Sequence, residues 1–177
     1  MQDMFSDFVF AILNNKYYTC DQMISKGFNI NLVPKGKQSV LHYACIHGNF
    51  NAVKYLVDKG AIVNCYNDKY VTPFQFACQS GNKNIVDYIY KRSNLKHEDI
   101  NKSNVMHYAC LSGNPDIIRL IAKNTDFLNK ENKCGDTPVH WAYTRPDFSE
   151  IKTLLMELGA NTDDLNPEQS MKIIYNY

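Results

Sequence analysis

An alanine returns along this chain at nearly constant spacing: Ala11, Ala44, Ala77, Ala109 and Ala142. Only nine alanines occur among the 177 residues, so five in register carry weight. Each closes a related segment. Four are clear: Ser39-Val-Leu-His-Tyr-Ala44, Thr72-Pro-Phe-Gln-Phe-Ala77, Asn104-Val-Met-His-Tyr-Ala109 and Thr137-Pro-Val-His-Trp-Ala142, with starts 33, 32 and 33 residues apart. A fainter copy stands at Ser6-Asp-Phe-Val-Phe-Ala11. Gly48, Gly81 and Gly113 follow three of the alanines by four residues, and Gly27, Gly60 and Gly159 close three of the units. A unit this short cannot bury its own apolar side, so a period of this length implies units stacked on one another.

Within a unit the apolar spacing is helical twice. Leu41, Ala44 and Cys45 fall at i, i+3, i+4, and so do Val53, Leu56 and Val57. Gly48-Asn49 marks the turn between them, with Gly48 suited to a left-handed helix end. Thr72 and Thr137, each followed by proline, supply an N-cap oxygen and a pre-set backbone angle. Polar stretches such as Asn64 to Lys69 read as turns or short hairpins.

A period of 33 residues with Thr-Pro, histidine and alanine at these offsets resembles the ankyrin repeat over about residues 5 to 162. The resemblance implies an all-α ankyrin-repeat solenoid of five helix-turn-helix units with β-turn or hairpin fingers and atypical capping units at both ends. The units are expected at about 5–35, 36–68, 69–100, 101–133 and 134–162, with a C-terminal cap over 163–177, in a single domain. It also implies function by binding another protein rather than by chemistry.

Departures from the pattern carry expectations of their own. The first unit has Asn15 in place of glycine and no Thr-Pro, as a cap would. The third has Ser93-Asn94 for its closing glycine and is one residue short before Lys102, so an irregular finger is expected there. The fifth replaces its inter-helix turn with Thr144 to Ser149, and Pro146 must lie in a loop. Asn166, Pro167 and Glu168 read as a helix start, from which Met171, Ile174 and Tyr175 would pack back.

Histidines and cysteines tempt a chemical reading. His42 with Cys45, and His107 with Cys110, stand at i, i+3 like half of a zinc site. They belong to units two steps apart, roughly 20 Å at 8–10 Å per packed helix, so neither a metal nor a cofactor is expected. In the family pattern the histidine joins hydrogen bonds with the Thr-Pro turns, and no catalytic residue is assigned. Asn31, Asn64 and Asn129 share one register. The family analogue caps the hairpin through its side chain and is a known type of hydroxylation target.

Repetition also places side chains in rows. The resemblance puts finger residues Lys37, Lys69 and Tyr70, and helix-end residues Ile46, His47 and Leu111, on the concave face, with Ile46, Leu111 and Tyr70 as exposed apolar anchors. A third row, Phe10, Tyr43, Phe76, Tyr108 and Trp141, occupies a position more often leucine in the family. The row reads either as packing between first helix and finger or, at Tyr43, Tyr108 and Trp141, as rings that keep an edge exposed and stack on a partner's extended segment.

Composition narrows the partner class. Formal charge is +1, without the basic excess of a nucleic-acid binder. No apolar run exceeds Phe8 to Leu13, too short to span a membrane. Six widely spaced cysteines do not form a secreted disulfide framework. A monomeric cytoplasmic adaptor binding another protein is expected, without nucleic acid or membrane. The alternative is the substrate-recruiting ankyrin segment of a larger palmitoyltransferase-like enzyme, suggested by His140-Trp141-Ala142, or of a channel.

Overall fold

The computed structural model describes residues 4–123, 126–146 and 148–162. Contacts gather the chain into two compact units, divided in sequence between Asn94 and Leu95. The first contains three helix pairs: α1 (Met4–Leu13) with α2 (Tyr17–Ser25), α3 (Val40–Ile46) with α4 (Phe50–Asp58), and α5 (Pro73–Ser80) with α6 (Lys83–Tyr90). The second contains α7 (Val105–Ser112) with α8 (Pro115–Ala122), and α9 (Pro138–Tyr143) with α10 (Phe148–Glu157). The all-α class and the five helix pairs are those expected. Among the described residues the fingers are turns without strand ladders. The expected cap over 163–177 lies outside the described residues.

The recurring alanine is explained by packing. In the first unit α1 packs on α3 and α3 on α5; in the second α7 packs on α9. Ala44, Ala77, Ala109 and Ala142 are fully buried, and Ala11 almost so. A methyl group at this position lets neighbouring first helices approach closely, where a longer side chain would wedge them apart. Second helices complete the layer from the other side, through Val53, Leu56, Ile85, Val86 and Ile89 in the first unit and Ile117, Ile118 and Ile121 in the second.

The first unit adds polar clamps between its second helices. Tyr55 donates its hydroxyl to Asp21 (2.8 Å), whose carboxylate also holds Lys59 at 2.6 Å. Tyr88 donates to Asp58 at 3.0 Å. Tyr17 stacks on Tyr55 with centroids 4.8 Å apart, and Phe50 meets Tyr88 edge-on at 5.8 Å. These are exposed interactions, so their worth is mainly geometric.

The third repeat corrects the sequence reading. Its finger tip is regular: Asp99 N–H bonds Ser103 O at 3.1 Å, matching Asn67 N–H to Val71 O at 3.1 Å. The missing residue is absorbed earlier, at the end of α6. There α4 closes with Ala61 N–H on Leu56 O (2.9 Å), with Gly60 at φ 90°, whereas α6 closes with the tighter Arg92 to Ile89 and Ser93 to Tyr90 turns. Without a glycine the wider left-handed ending is disfavoured, and the chain saves its residue there. In the fifth repeat, Pro146 lies exposed in the turn as expected.

Candidate functional site

The histidines belong to the frame. Ser39 opens α3 with a capping box in which its Oγ accepts from His42 N–H (3.3 Å) and its N–H donates to His42 Nδ1 (3.2 Å). With Nδ1 accepting, Nε2 carries the proton and donates to Val71 O in the next repeat at 2.9 Å. His107 repeats this geometry: Asn104 N–H donates to its Nδ1 at 3.2 Å, and its Nε2 donates to Asp136 O at 3.0 Å. Thr137 N–H bonds His140 Nδ1 at 3.1 Å. Gln75 takes the same place at α5, accepting from Thr72 N–H through Oε1 at 2.8 Å. Burial pulls both the His42 and His107 imidazoles down to about 4, so both are neutral at physiological pH. Cys45, Cys78 and Cys110 are buried apolar fillers whose thiols burial pushes far up.

The asparagine row reaches further than a hairpin cap. Asn31 donates to Gly60 O (3.2 Å) and accepts from Ile62 N–H (2.8 Å), so it clasps the segment after the next helix pair. Asn64 does the same with Arg92 O (2.8 Å) and Asn94 N–H (2.9 Å), and Asn129 with Gly159 O (2.9 Å) and Asn161 N–H (2.8 Å). A single primary amide suits the task, since it carries a donor and an acceptor side by side.

The aromatic row splits. In the first unit Phe10 is 60% exposed, and Tyr43 and Phe76 are half-buried. In the second, Tyr108 and Trp141 are 2% and 1% exposed. The reading of stacking edges on Tyr108 and Trp141 is therefore corrected: these rings are core. Tyr108 donates its hydroxyl to the buried Asp99 carboxylate at 2.8 Å. Trp141 meets Tyr108 and His107 edge-on, with both centroid distances 5.3 Å. Satisfying the phenol inside the finger base removes the reason for it to face water.

The finger tips share one device. Asn67 Oδ1 accepts from Lys69 and Val71 N–H, Asp99 Oδ1 from Asn101 and Ser103 N–H, and Asn132 Oδ1 from Cys134 and Asp136 N–H. Three residues on from the anchor the backbone turns left-handed, at Tyr70 (φ 59°), Lys102 (φ 59°) and Gly135 (φ 81°). Glycine adopts this without penalty, and a tyrosine or lysine at a cost of about 1–2 kcal/mol. Tyr70 is half exposed and stacks flat on Tyr66, with centroids 5.0 Å apart and planes 8° apart.

Of the remaining residues singled out in the sequence, His47 and Lys69 are exposed. Ile46 and Leu111 are only half-buried rather than open anchors. Arg145 covers the end of α7 by donating to Leu111 O at 2.9 Å, which is how the fifth repeat replaces the Asn49 and Asn82 bonds to Leu13 O (3.1 Å) and Gly48 O (2.8 Å). Lys37 and Tyr43 are brought together through Phe5: Lys37 Nζ lies 5.5 Å from the Phe5 ring centre, and Phe5 lies 6.3 Å from Tyr43. Two contributors were missed, Tyr66 and Lys16, whose Nζ sits 4.8 Å over Phe10. The i, i+4 tyrosines of one finger were a readable signal for the first; the turn that returns Lys16 onto α1 left none.

A family model described as ankyrin repeats (3 copies) matches residues 8–99 and again 92–166. Comparison with curated proteins gives no match. No helix among the described residues is long and apolar enough to cross a membrane. With the two matched stretches covering most of its length, the chain belongs to the ankyrin-repeat family, whose repeats are generally protein–protein interaction modules.

Proposed function

We propose that this chain is a protein-binding module or adaptor, and that its N-terminal unit takes the partner on first helices and finger tips. The observation that carries this is the separation of roles among its side chains. His42, His107 and His140 and four of the six cysteines are buried in the frame, while the exposed Phe10, Tyr66 and Tyr70, the half-buried Tyr43 and Ile46, and Lys35, Lys37 and Lys69 lie on α1, α3 and the first two fingers. Tyr43, Ile46, His47, Lys37, Lys69 and Tyr70 form the contact set. Leu111 borders the equivalent surface of the second unit, and Tyr108 and Trp141 support it from beneath.

A near-neutral chain favours a protein partner over nucleic acid. A monomer in a reducing cytoplasm agrees with six free thiols, four of them buried. Affinity capture with quantitative mass spectrometry tests the role. Proteins held by the wild type should be lost from Ile46→Ala/Tyr70→Ala and kept by Lys83→Ala on the second-helix side. Retention of every captured protein by the double variant would overturn the assignment of this face.

A further inference from the structure

The face of the N-terminal unit has a charge as well as a shape. Residues 1–94 contain ten lysines and arginines against six aspartates and no glutamate, a formal +4, while residues 95–177 contain nine against twelve, a formal −3. Three of the basic unit's six acids lie on second helices, while Asp7 stands on α1 and Asp68 on the second finger. The three, Asp21, Asp58 and Asp87, are each held by a lysine of the same unit. Asp68 turns its carboxylate onto Gly36 N–H at 2.5 Å, tying that finger to the first. Lys35, Lys37 and Lys69 stand on those same two fingers.

Apolar surface is interleaved with these cations. Lys16 is held over the exposed Phe10 ring, and Lys37 lies over the outer side of the buried Phe5. Tyr66 and Tyr70 are 53% and 50% exposed and stacked. Tyr70 keeps its ring on the tip despite a backbone angle that Gly135 adopts freely at the equivalent position. Exposed rings beside cations suit a ligand that brings carboxylates and apolar side chains in alternation, because each neutral or basic alternative leaves half of the surface unmatched.

The geometry points to an extended acidic segment carrying aromatic or aliphatic side chains as the partner of this face; the inference rests on the binding role proposed above. Carboxylates of the segment lie against Lys35, Lys37 and Lys69, and its apolar side chains against Phe10, Tyr43 and the Tyr66–Tyr70 pair.

Selection of a random displayed peptide library on the intact chain tests this, followed by anisotropy titration of the enriched peptides. Enriched peptides should combine Asp or Glu with Phe, Tyr, Leu or Ile. Lys35→Glu/Lys69→Glu, both exposed sites, should weaken them about tenfold or more with an unchanged thermal midpoint, and added salt should weaken wild-type binding. Polyglutamate, acidic without rings, should bind about tenfold more weakly than they do. Uncharged or basic winners, no enrichment, equal binding of polyglutamate, or indifference to the charge reversal would each overturn the inference. So would salt-sensitive self-association of the chain that competes with the peptides. If these fail while captured proteins still depend on Ile46 and Tyr70, the acidic segment falls and the binding role stands.

Discussion

Phe10 in the N-terminal unit and Trp141 in the C-terminal unit hold the same repeat position, yet one is 60% exposed and the other 1%. Register alone does not decide burial in a repeat protein; the residues around the register do. In the second unit the finger places Asp99 under Tyr108, and the next first helix lays its indole against both Tyr108 and His107. In the first unit the ring at the same place on α1 has a lysine cation over it and otherwise stays in water. A row of identical positions thus serves as core at one end and as surface at the other.

The largest effect should separate the two ends directly. Trp141→Ala should destabilise the second unit by about 3–5 kcal/mol, and Phe10→Ala should shift stability by no more than about 0.5 kcal/mol. Chemical denaturation followed by far-ultraviolet circular dichroism reads both, and similar losses would erase the contrast.

Acid should strike both units alike, because both share the buried histidine. The folded imidazoles of His42 and His107 titrate at about 4, below the ordinary 6.5 or so of an unfolded histidine. Between these values the unfolded chain binds more protons, so stability falls as pH falls through that window, by about 3 kcal/mol for each histidine once pH reaches the lower value. His42→Gln copies Gln75, keeps hydrogen-bonding capacity at α3, and should flatten the pH dependence measured by denaturant titration. An unchanged slope would place the titration elsewhere.

A smaller effect probes the phenol. Tyr108→Phe should cost about 1–3 kcal/mol, since it strips a buried Asp99 oxygen of its donor, while Tyr43→Phe on the half-exposed side should cost about 0.5 kcal/mol or less. Smallest and opposite in sign is Tyr70→Gly, which should raise the thermal midpoint through about 1 kcal/mol of relieved backbone strain while weakening partner binding. A gain of stability without loss of binding would make Tyr70 a bystander.

The architecture was legible because it is written redundantly. Ala44 and its copies, the Thr72-Pro73 start and the phase of Val53, Leu56 and Val57 all report the same helix pair. What the sequence concealed depends on neighbours. That Tyr108 would find Asp99 requires knowing that the shortened third repeat keeps its finger tip, and the deletion pointed to the finger rather than to the end of α6. That Arg145 would bond Leu111 O was hidden because its turn had lost the pattern that would have aligned it. The lysine over Phe10 stands at the N-cap of α2, where the next three repeats carry Asn49, Asn82 and Asn114, so its register pointed to a helix cap rather than to a ring contact.

Trp141 is the sole tryptophan, so fluorescence reads the comparison most directly. The native indole is expected to emit at short wavelength and resist acrylamide quenching. In Trp141→Phe combined with Phe10→Trp, the indole on α1 should emit at long wavelength and quench readily. Equal emission and equal quenching from the two positions would contradict the division of one repeat position into core and surface.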